Sequence, residues 1–227
     1  MSRVVFFDFD STVVSKESLD EVIACALSSN PDKERLMLEI ESITNRGMNG
    51  EIGLNESVQL RLAVVPLFKT QVQQVGAMLT QHITQGMPEL FAWLQTHDVS
   101  TYIVSGGFSD AILPTATILN VPETQVITNR FVYDTAGKVT GADPNTIIWK
   151  NEGKAAVVRH VLSQYESPVS ALIGDGSNDL AAYTHGAVQH FCGFGAHAVR
   201  PTVQAAAPAF VYAAVDAQTW LAKVLQL

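Results

Sequence analysis

The sequence predicts an α/β protein with a doubly wound, mostly parallel sheet and an inserted all-helical block. Three observations carry this expectation. Short apolar runs alternate with amphipathic stretches of helical period over most of the chain, the pattern of a parallel sheet covered by helices on both faces. Several of those runs stop abruptly at Asp, Ser or Gly, where open α/β sheets place their sites. Between Val14 and Gln85, by contrast, only helical periodicity is found.

The elements follow in order. Val4-Val5-Phe6-Phe7 is rich in β-formers and reads as a buried strand. Leu19, Val22, Ile23, Ala26 and Leu27 set a helix over Ser18–Ser29. Helices are expected over Pro31–Thr44 and Asn55–Val65. A further one covers Thr70–Thr84, with Val72, Val75, Met78, Leu79 and Ile83 on one face. Alternation then resumes: helix Met87–Thr96, strand Ser100–Val104, helix Ser109–Leu119, strand Thr124–Thr128. Phe131-Val132-Tyr133 and Lys138-Val139-Thr140 flank Asp134-Thr135-Ala136-Gly137 as a hairpin. Helix Lys154–Tyr165, strand Val169–Ile173, helix Asn178–His185, strand Gln189–Cys192 and helix Asp216–Leu225 complete the chain. The α/β core is therefore expected over residues 1–13 and 86–227, and the helical cap over 14–85.

Composition narrows the function. Of 227 residues, 47 % are hydrophobic and 16 % charged, enough apolar content for a packed core rather than bulk disorder. Fourteen Lys and Arg against 22 Asp and Glu give a net charge of −8, which argues against nucleic acid or an anionic membrane surface as partner. No apolar run reaches the roughly 18 residues of a membrane span. Asp8 and Asp10 interrupt the first apolar run, against a secretory leader. Cys25 and Cys192 make no disulfide framework, so a reducing cytoplasm is the expected compartment. His185, His190 and His197 match no strong zinc spacing, and Trp93, Trp149 and Trp220 are too scattered for a base-stacking platform.

Four polar clusters sit at the expected strand ends. In extended chain, Asp8 and Asp10 point to one side, and two such carboxylates resist joint ionisation without a cation or a shared proton. The bland reading is an Asp-Ser-Thr turn that caps a helix. Gly174-Asp175-Gly176-Ser177-Asn178-Asp179 offers hard oxygen ligands from a second strand end, a donor type that suits Mg²⁺, although a Gly-Asn-Asp surface turn is the plain alternative. Ser105-Gly106-Gly107 presents a hydroxyl and glycine N–H groups before a helix start, a phosphate cradle or an ordinary turn. Lys154 sits where the helix dipole disfavours a cation; a solvated lysine is the alternative, and Lys150 competes for the same role.

Taken together and in this order, Asp8-Phe9-Asp10-Ser11-Thr12-Val13, Ser105-Gly106-Gly107-Phe108, Lys154 and Gly174–Asp179 resemble the haloacid-dehalogenase superfamily of aspartate-nucleophile phosphatases. Within it, Glu17 and Asp20-Glu21 after the first motif, Met48-Asn49-Gly50 and Glu56-Ser57-Val58-Gln59-Leu60-Arg61 are similar to the phosphoserine phosphatase family. The stretches Ala142–Trp149 and Gly193–Ala209 follow no pattern of that family.

The resemblance implies a Mg²⁺-dependent hydrolase of a small phosphorylated amino acid, acting as a monomer or homodimer. It implies Asp8 as nucleophile and Asp10 as general acid and base. Mg²⁺ would lie on Asp8, Asp175 and the main-chain carbonyl of Asp10, with Asp179 orienting the metal water or Lys154. Ser105, Gly106, Lys154 and Asn178 would hold the phosphoryl group. Glu17 would read the substrate ammonium and Arg61 its carboxylate, with Met48 and Leu54 as walls. The same core also serves other small phosphomonoesters and phosphotransfer to alcohols. A phospho-accepting receiver module shares the residue types but places its acceptor Asp mid-chain.

Overall fold

The structure is a computed structural model that describes residues 2–146, 148 and 153–227. Its centre is a six-stranded parallel sheet built from β1 (Arg3–Phe7), β2 (Ser100–Phe108), β3 (Val126–Asn129), β6 (Val169–Gly174), β7 (His190–Phe194) and β8 (Phe210–Val211). The spatial order is β3-β2-β1-β6-β7-β8. An antiparallel pair, β4 (Phe131–Tyr133) and β5 (Val139–Ala142), stands apart from it as the expected hairpin. Ten α-helices are described: α1 (Ser18–Ala26), α2 (Lys33–Met48), α3 (Leu54–Leu62), α4 (Lys69–Leu79), α5 (Met87–Thr96), α6 (Ser109–Ile118), α7 (Gly153–Leu162), α8 (Ser177–Thr184), α9 (Pro201–Ala206) and α10 (Ala214–Leu225).

Strand alternation splits the core in two. Val5 and Phe7 of β1 join Ile103, Ala171, Ile173 and Phe194 beneath α5, α6 and α10. Val4 and Phe6 point the other way and join Val104, Leu172 and Phe191 beneath α7, α8 and α9. These side chains are almost wholly buried, so their near-continuous hydrophobicity is that of strands covered on both faces. The chain runs outward from β1 to β2 and β3, then returns to β6 and runs outward the other way. β1 and β6 therefore flank the switch point of the sheet, where the carboxyl ends of neighbouring strands open a crevice. The Asp8 N–H donates to the Ile173 carbonyl at 2.9 Å, which ties the two strand ends together.

The stretch between β1 and β2 is helical as expected, and its two stems run side by side. Val14 and Ile83 form an antiparallel bridge, with Thr84 N–H donating to the Val13 carbonyl and Ser15 N–H to the His82 carbonyl, both at 2.9 Å. Between the two stems, the fourth helix, α4, packs on α6 of the core. Pro114 lacks the N–H that would serve the Asp110 carbonyl one turn earlier. Gly76 packs over that carbonyl, and a Cβ there would come within 2.8 Å of it.

Three details differ from the sequence expectation. β2 does not stop at Val104 but continues to Phe108 through a register shift, since a bulge lets strand pairing pass Ser105-Gly106-Gly107. Residues 9–13 are not extended but form a wide turn, closed by Val14 N–H on the Phe9 carbonyl at 3.1 Å, with Ser11 left-handed at φ 54°. α9 and β8 were not anticipated. α9 starts with Pro201 at its first position, where a missing N–H costs nothing.

Gly76→Ala is expected to lower stability by about 1–3 kcal/mol, because α4 must shift off α6 to admit the methyl group. Urea denaturation measures it; an unchanged midpoint would show that the two helices are not in tight contact.

Candidate active site

The site forms where the turn after β1, the bulged end of β2, the start of α7 and the turn after β6 converge. Asp8 leaves the end of β1 and is buried. Its Oδ1 accepts the Phe9 N–H at 2.8 Å and lies 2.9 Å from Lys154 Nζ. Lys154, in the first turn of α7, is also buried, and Nζ donates to Asp179 Oδ1 at 2.6 Å. The Asp179 Oδ2 accepts the Gly176 N–H at 3.0 Å, reaching back across the first turn of α8. A Cβ on Gly174 would collide with the Asp179 carboxylate, so that position requires glycine.

Asp10 is held differently. Ser18 donates its N–H and its hydroxyl to the two Asp10 carboxylate oxygens, each at 2.9 Å. Glu17, one residue earlier, accepts the Ser11 hydroxyl at 2.7 Å. Asp175 is buried after β6, with Arg200 Nε at 3.4 Å. Ser105 Oγ accepts the Gly107 N–H at 3.0 Å, and the Gly106 carbonyl accepts Asn129 Nδ2 at 2.7 Å, which fixes the bulge.

The helical stretch covers these groups. A Cβ on Gly106 would lie 3.0 Å from Leu54, and one on Gly176 3.3 Å from Met48, so these side chains rest on the two glycine loops. Arg61 of α3 is buried, donating from Nη1 to Asp20 at 2.9 Å and to Thr44 at 3.2 Å. Its Nε donates to the Ser57 carbonyl at 3.3 Å. A cavity of about 60 Å³ remains beneath. Asp8, Asp10, Glu17, Arg61, Ser105, Gly106, Lys154, Asn178 and Asp179 all line it. Lys150 lies outside the described residues.

Electrostatics sets this cluster apart from ordinary surface acids. Burial pushes the Asp10 carboxyl well above the usual range, and the charges of Glu17 and Asp8 add to it against the two Ser18 hydrogen bonds. Burial raises Asp175 likewise, with Asp8, Glu17 and Asp179 adding and Arg200 opposing. Asp179 is pushed up to about 7 by burial and by Asp8, which outweigh Lys154. Glu17 is raised by burial and Asp20, against Ser11, Arg61 and Arg200. Burial alone would lower Lys154, yet Asp179 and Asp8 together raise it, so it stays charged.

Among the described residues, one group of three metal-ligating side chains converges: Asp8, Asp175 and Asp179, with carboxylate oxygens within 4.8 Å of one another. Setting Arg61 against Asp20, five carboxylates face Lys154 and Arg200, and a proton on Asp10 still leaves two negative charges in excess. That surplus among buried groups fits a divalent cation. Asp179 is gripped at 2.6 Å by Lys154 and at 3.0 Å by the Gly176 N–H, whereas Asp175 meets Thr12 Oγ1 at 3.5 Å and Arg200 Nε at 3.4 Å, and the contacts of Asp8 fall on Oδ1 alone, so Asp8 and Asp175 are the more loosely held donors. The Asp10 carboxylate is turned to Ser18, which leaves its main-chain carbonyl as the group to test.

One residue of the site escaped the sequence: Arg200, in the stretch that followed no recognisable pattern. Its only local signal was a basic residue directly before a proline.

Comparisons with known proteins agree with this architecture. The sequence pattern of the haloacid dehalogenase-like hydrolases matches residues 5–183, and the chain belongs to that family. The phosphoserine phosphatases of Mus musculus and Homo sapiens are each 30 % identical over 201 residues, covering 88 % of this chain and 84 % of theirs. A phosphoserine phosphohydrolase-like protein of Francisella tularensis superposes with a TM-score of 0.88 at 27 % identity, over 97 % of this chain and 100 % of that one. A phosphoserine phosphatase structure described as a phospho-aspartyl intermediate analogue shares the fold, with a TM-score of 0.77 at 22 % identity over 93 % of both chains. No helix among the described residues is long and apolar enough to cross a membrane.

The raised acids predict a pH dependence. From the ordinary carboxylate range near about 4 up to about 7, the folded chelated protein binds more protons than the unfolded chain, so its stability falls as pH rises. Thermal melts in EDTA should therefore drop from about pH 5 to about pH 7.5, and excess divalent cation should restore most of the loss. A chelated protein that gains stability across that window would contradict the charge surplus.

Proposed function

We propose that the protein hydrolyses O-phosphoserine to serine and phosphate through an aspartyl-phosphate on Asp8. The observation that carries this reading is one small cavity lined by both a phosphoryl-transfer set (Asp8, Asp10, Ser105, Lys154) and an amino-acid-reading pair (Glu17, Arg61). The relatives named phosphoserine phosphatase support the choice of substrate. Two cysteines outside any disulfide fit a reducing cytoplasm.

In the proposed sequence an Asp8 carboxylate oxygen attacks phosphorus, and the bond to the serine oxygen breaks. Lys154 and the Phe9 N–H hold Asp8 Oδ1 and so fix the carboxylate plane for attack. Asp10, kept protonated by its burial, gives its proton to the departing serine oxygen. The Asp10 carboxylate then takes a proton from water, whose oxygen attacks phosphorus and frees Asp8. Ser105, Gly106, Lys154 and Asn178 surround the phosphoryl oxygens, where fixed donors act most strongly as charge builds up. Mg²⁺ on Asp8, Asp175 and the Asp10 carbonyl would supply charge neutralisation there. Asp179 orients Lys154.

Substrate choice lies with the helical cap over 14–85. Arg61 spends Nη1 and Nε within the cap, and no hydrogen bond among the described residues uses Nη2, which is left for the substrate carboxylate. Glu17 faces the ammonium.

Asp8→Asn is expected to lower phosphate release by more than about 10⁴-fold while the fold is kept, read by a phosphate assay beside circular dichroism. Retained turnover would remove Asp8 as nucleophile. Arg61→Ala should cost about 100-fold in kcat/KM on phosphoserine and far less on an aryl phosphate. Equal losses on both would argue against carboxylate recognition.

A further inference from the structure

Thr84 lies where the helical stretch returns to the core, and it is buried. It grips the outgoing chain twice. Its N–H donates to the Val13 carbonyl at 2.9 Å, and its hydroxyl donates to the Thr12 carbonyl at 2.7 Å. No other hydrogen bond among the described residues serves that Thr12 carbonyl. Thr84 Oγ1 also lies 2.8 Å from Nε2 of His197, in the loop between β7 and α9. A hydroxyl has one proton, and here it is spent on Thr12. The oxygen must therefore accept from His197, which places a proton on Nε2. Linked donors of this kind polarise one another, so the His197 bond strengthens the grip on Thr12.

The gripped segment is the turn over residues 9–13. It follows Asp8 directly and carries Asp10. It also contains Ser11 at φ 54°, a conformation that a residue with a side chain keeps only where its surroundings impose it. The main-chain bonds that close the turn are at the long end of the usual range: Val14 N–H on the Phe9 carbonyl at 3.1 Å, and Ser11 N–H on the Lys16 carbonyl at 3.2 Å. Thr12 is wholly buried, and its own hydroxyl reaches Asp175 Oδ1 at 3.5 Å. Neither Thr84 nor His197 lines the cavity, so any effect of theirs on the reaction passes through the turn.

We propose that Thr84, backed by His197, is a positioning residue that holds this turn in the shape that aims Asp8 and Asp10 at the phosphoryl group. The aim rests on the phosphatase reading; the hold on the turn does not.

Amide hydrogen exchange at Ser11 and Val14 reads the turn without any substrate. Thr84→Val keeps the side-chain shape and removes the donor, and it should speed exchange at both amides by about tenfold. On phosphoserine it should lower kcat by about tenfold per folded molecule. Thr84→Ser should return both quantities to near the parent values. His197→Ala should give effects of about threefold, which should vanish in the Thr84→Val background. Unchanged exchange in Thr84→Val, or a Thr84→Ser variant as fast as Thr84→Val, would overturn the hold. Faster exchange at parental kcat would overturn the positioning role and leave the phosphatase reading intact. A parent protein that does not turn over phosphoserine would refute that reading, while the exchange results still decide the hold. If Thr84→Val does not fold, His197→Ala decides: parental exchange and parental kcat there would overturn the proposal.

Discussion

A buried lysine shared by two buried aspartates organises this molecule. Lys154 lies 2.9 Å from Asp8 and 2.6 Å from Asp179, and all three are almost fully excluded from solvent. Such a cluster is poor evidence of stability, because desolvation consumes most of the Coulomb gain. Its value is positional. One ammonium fixes the end of β1 through Asp8, the start of α7 through its own backbone, and the start of α8 through Asp179. The three elements meet at the switch point of the sheet, so the site is held by the strand order itself.

The same cluster is short of positive charge. Burial raises Asp10, Glu17, Asp175 and Asp179 together. A site that strains against its own carboxylates is primed for a cation and an acid proton, the two things phosphoryl transfer requires. This explains how an acidic chain can take an anionic substrate: the net charge of −8 sums the whole chain, while the cavity answers to its local balance. The helical cap completes the arrangement by placing Met48 and Leu54 on the glycine loops and Arg61 in the cavity wall.

Much of this was legible in the amino-acid order. Val4–Phe7 followed by Asp8, and Ser170–Ile173 followed by Gly174-Asp175, announced buried strands with functional ends, and β1 and β6 lie there. What escaped has physical causes. Ser105-Gly106-Gly107 looks like a turn because local preference cannot foresee that pairing with β3 resumes beyond a bulge. The six-residue α9 and two-residue β8 are too short to show any period. Arg200 was invisible because its partners, Glu17, Asn45 and Asp175, are brought together only by tertiary structure. Lys154 was found by its place in a motif; nothing local distinguishes a buried lysine from a solvated one.

The central claim is that Asp8 carries the phosphoryl group. Acid quenching during turnover of phosphoserine, followed by borohydride reduction, converts a phosphorylated aspartate to homoserine and leaves a free one untouched. Peptide mass spectrometry should then find homoserine at position 8 and aspartate at 10, 175 and 179. Turnover that leaves position 8 as aspartate, or that marks another carboxylate instead, would contradict the account.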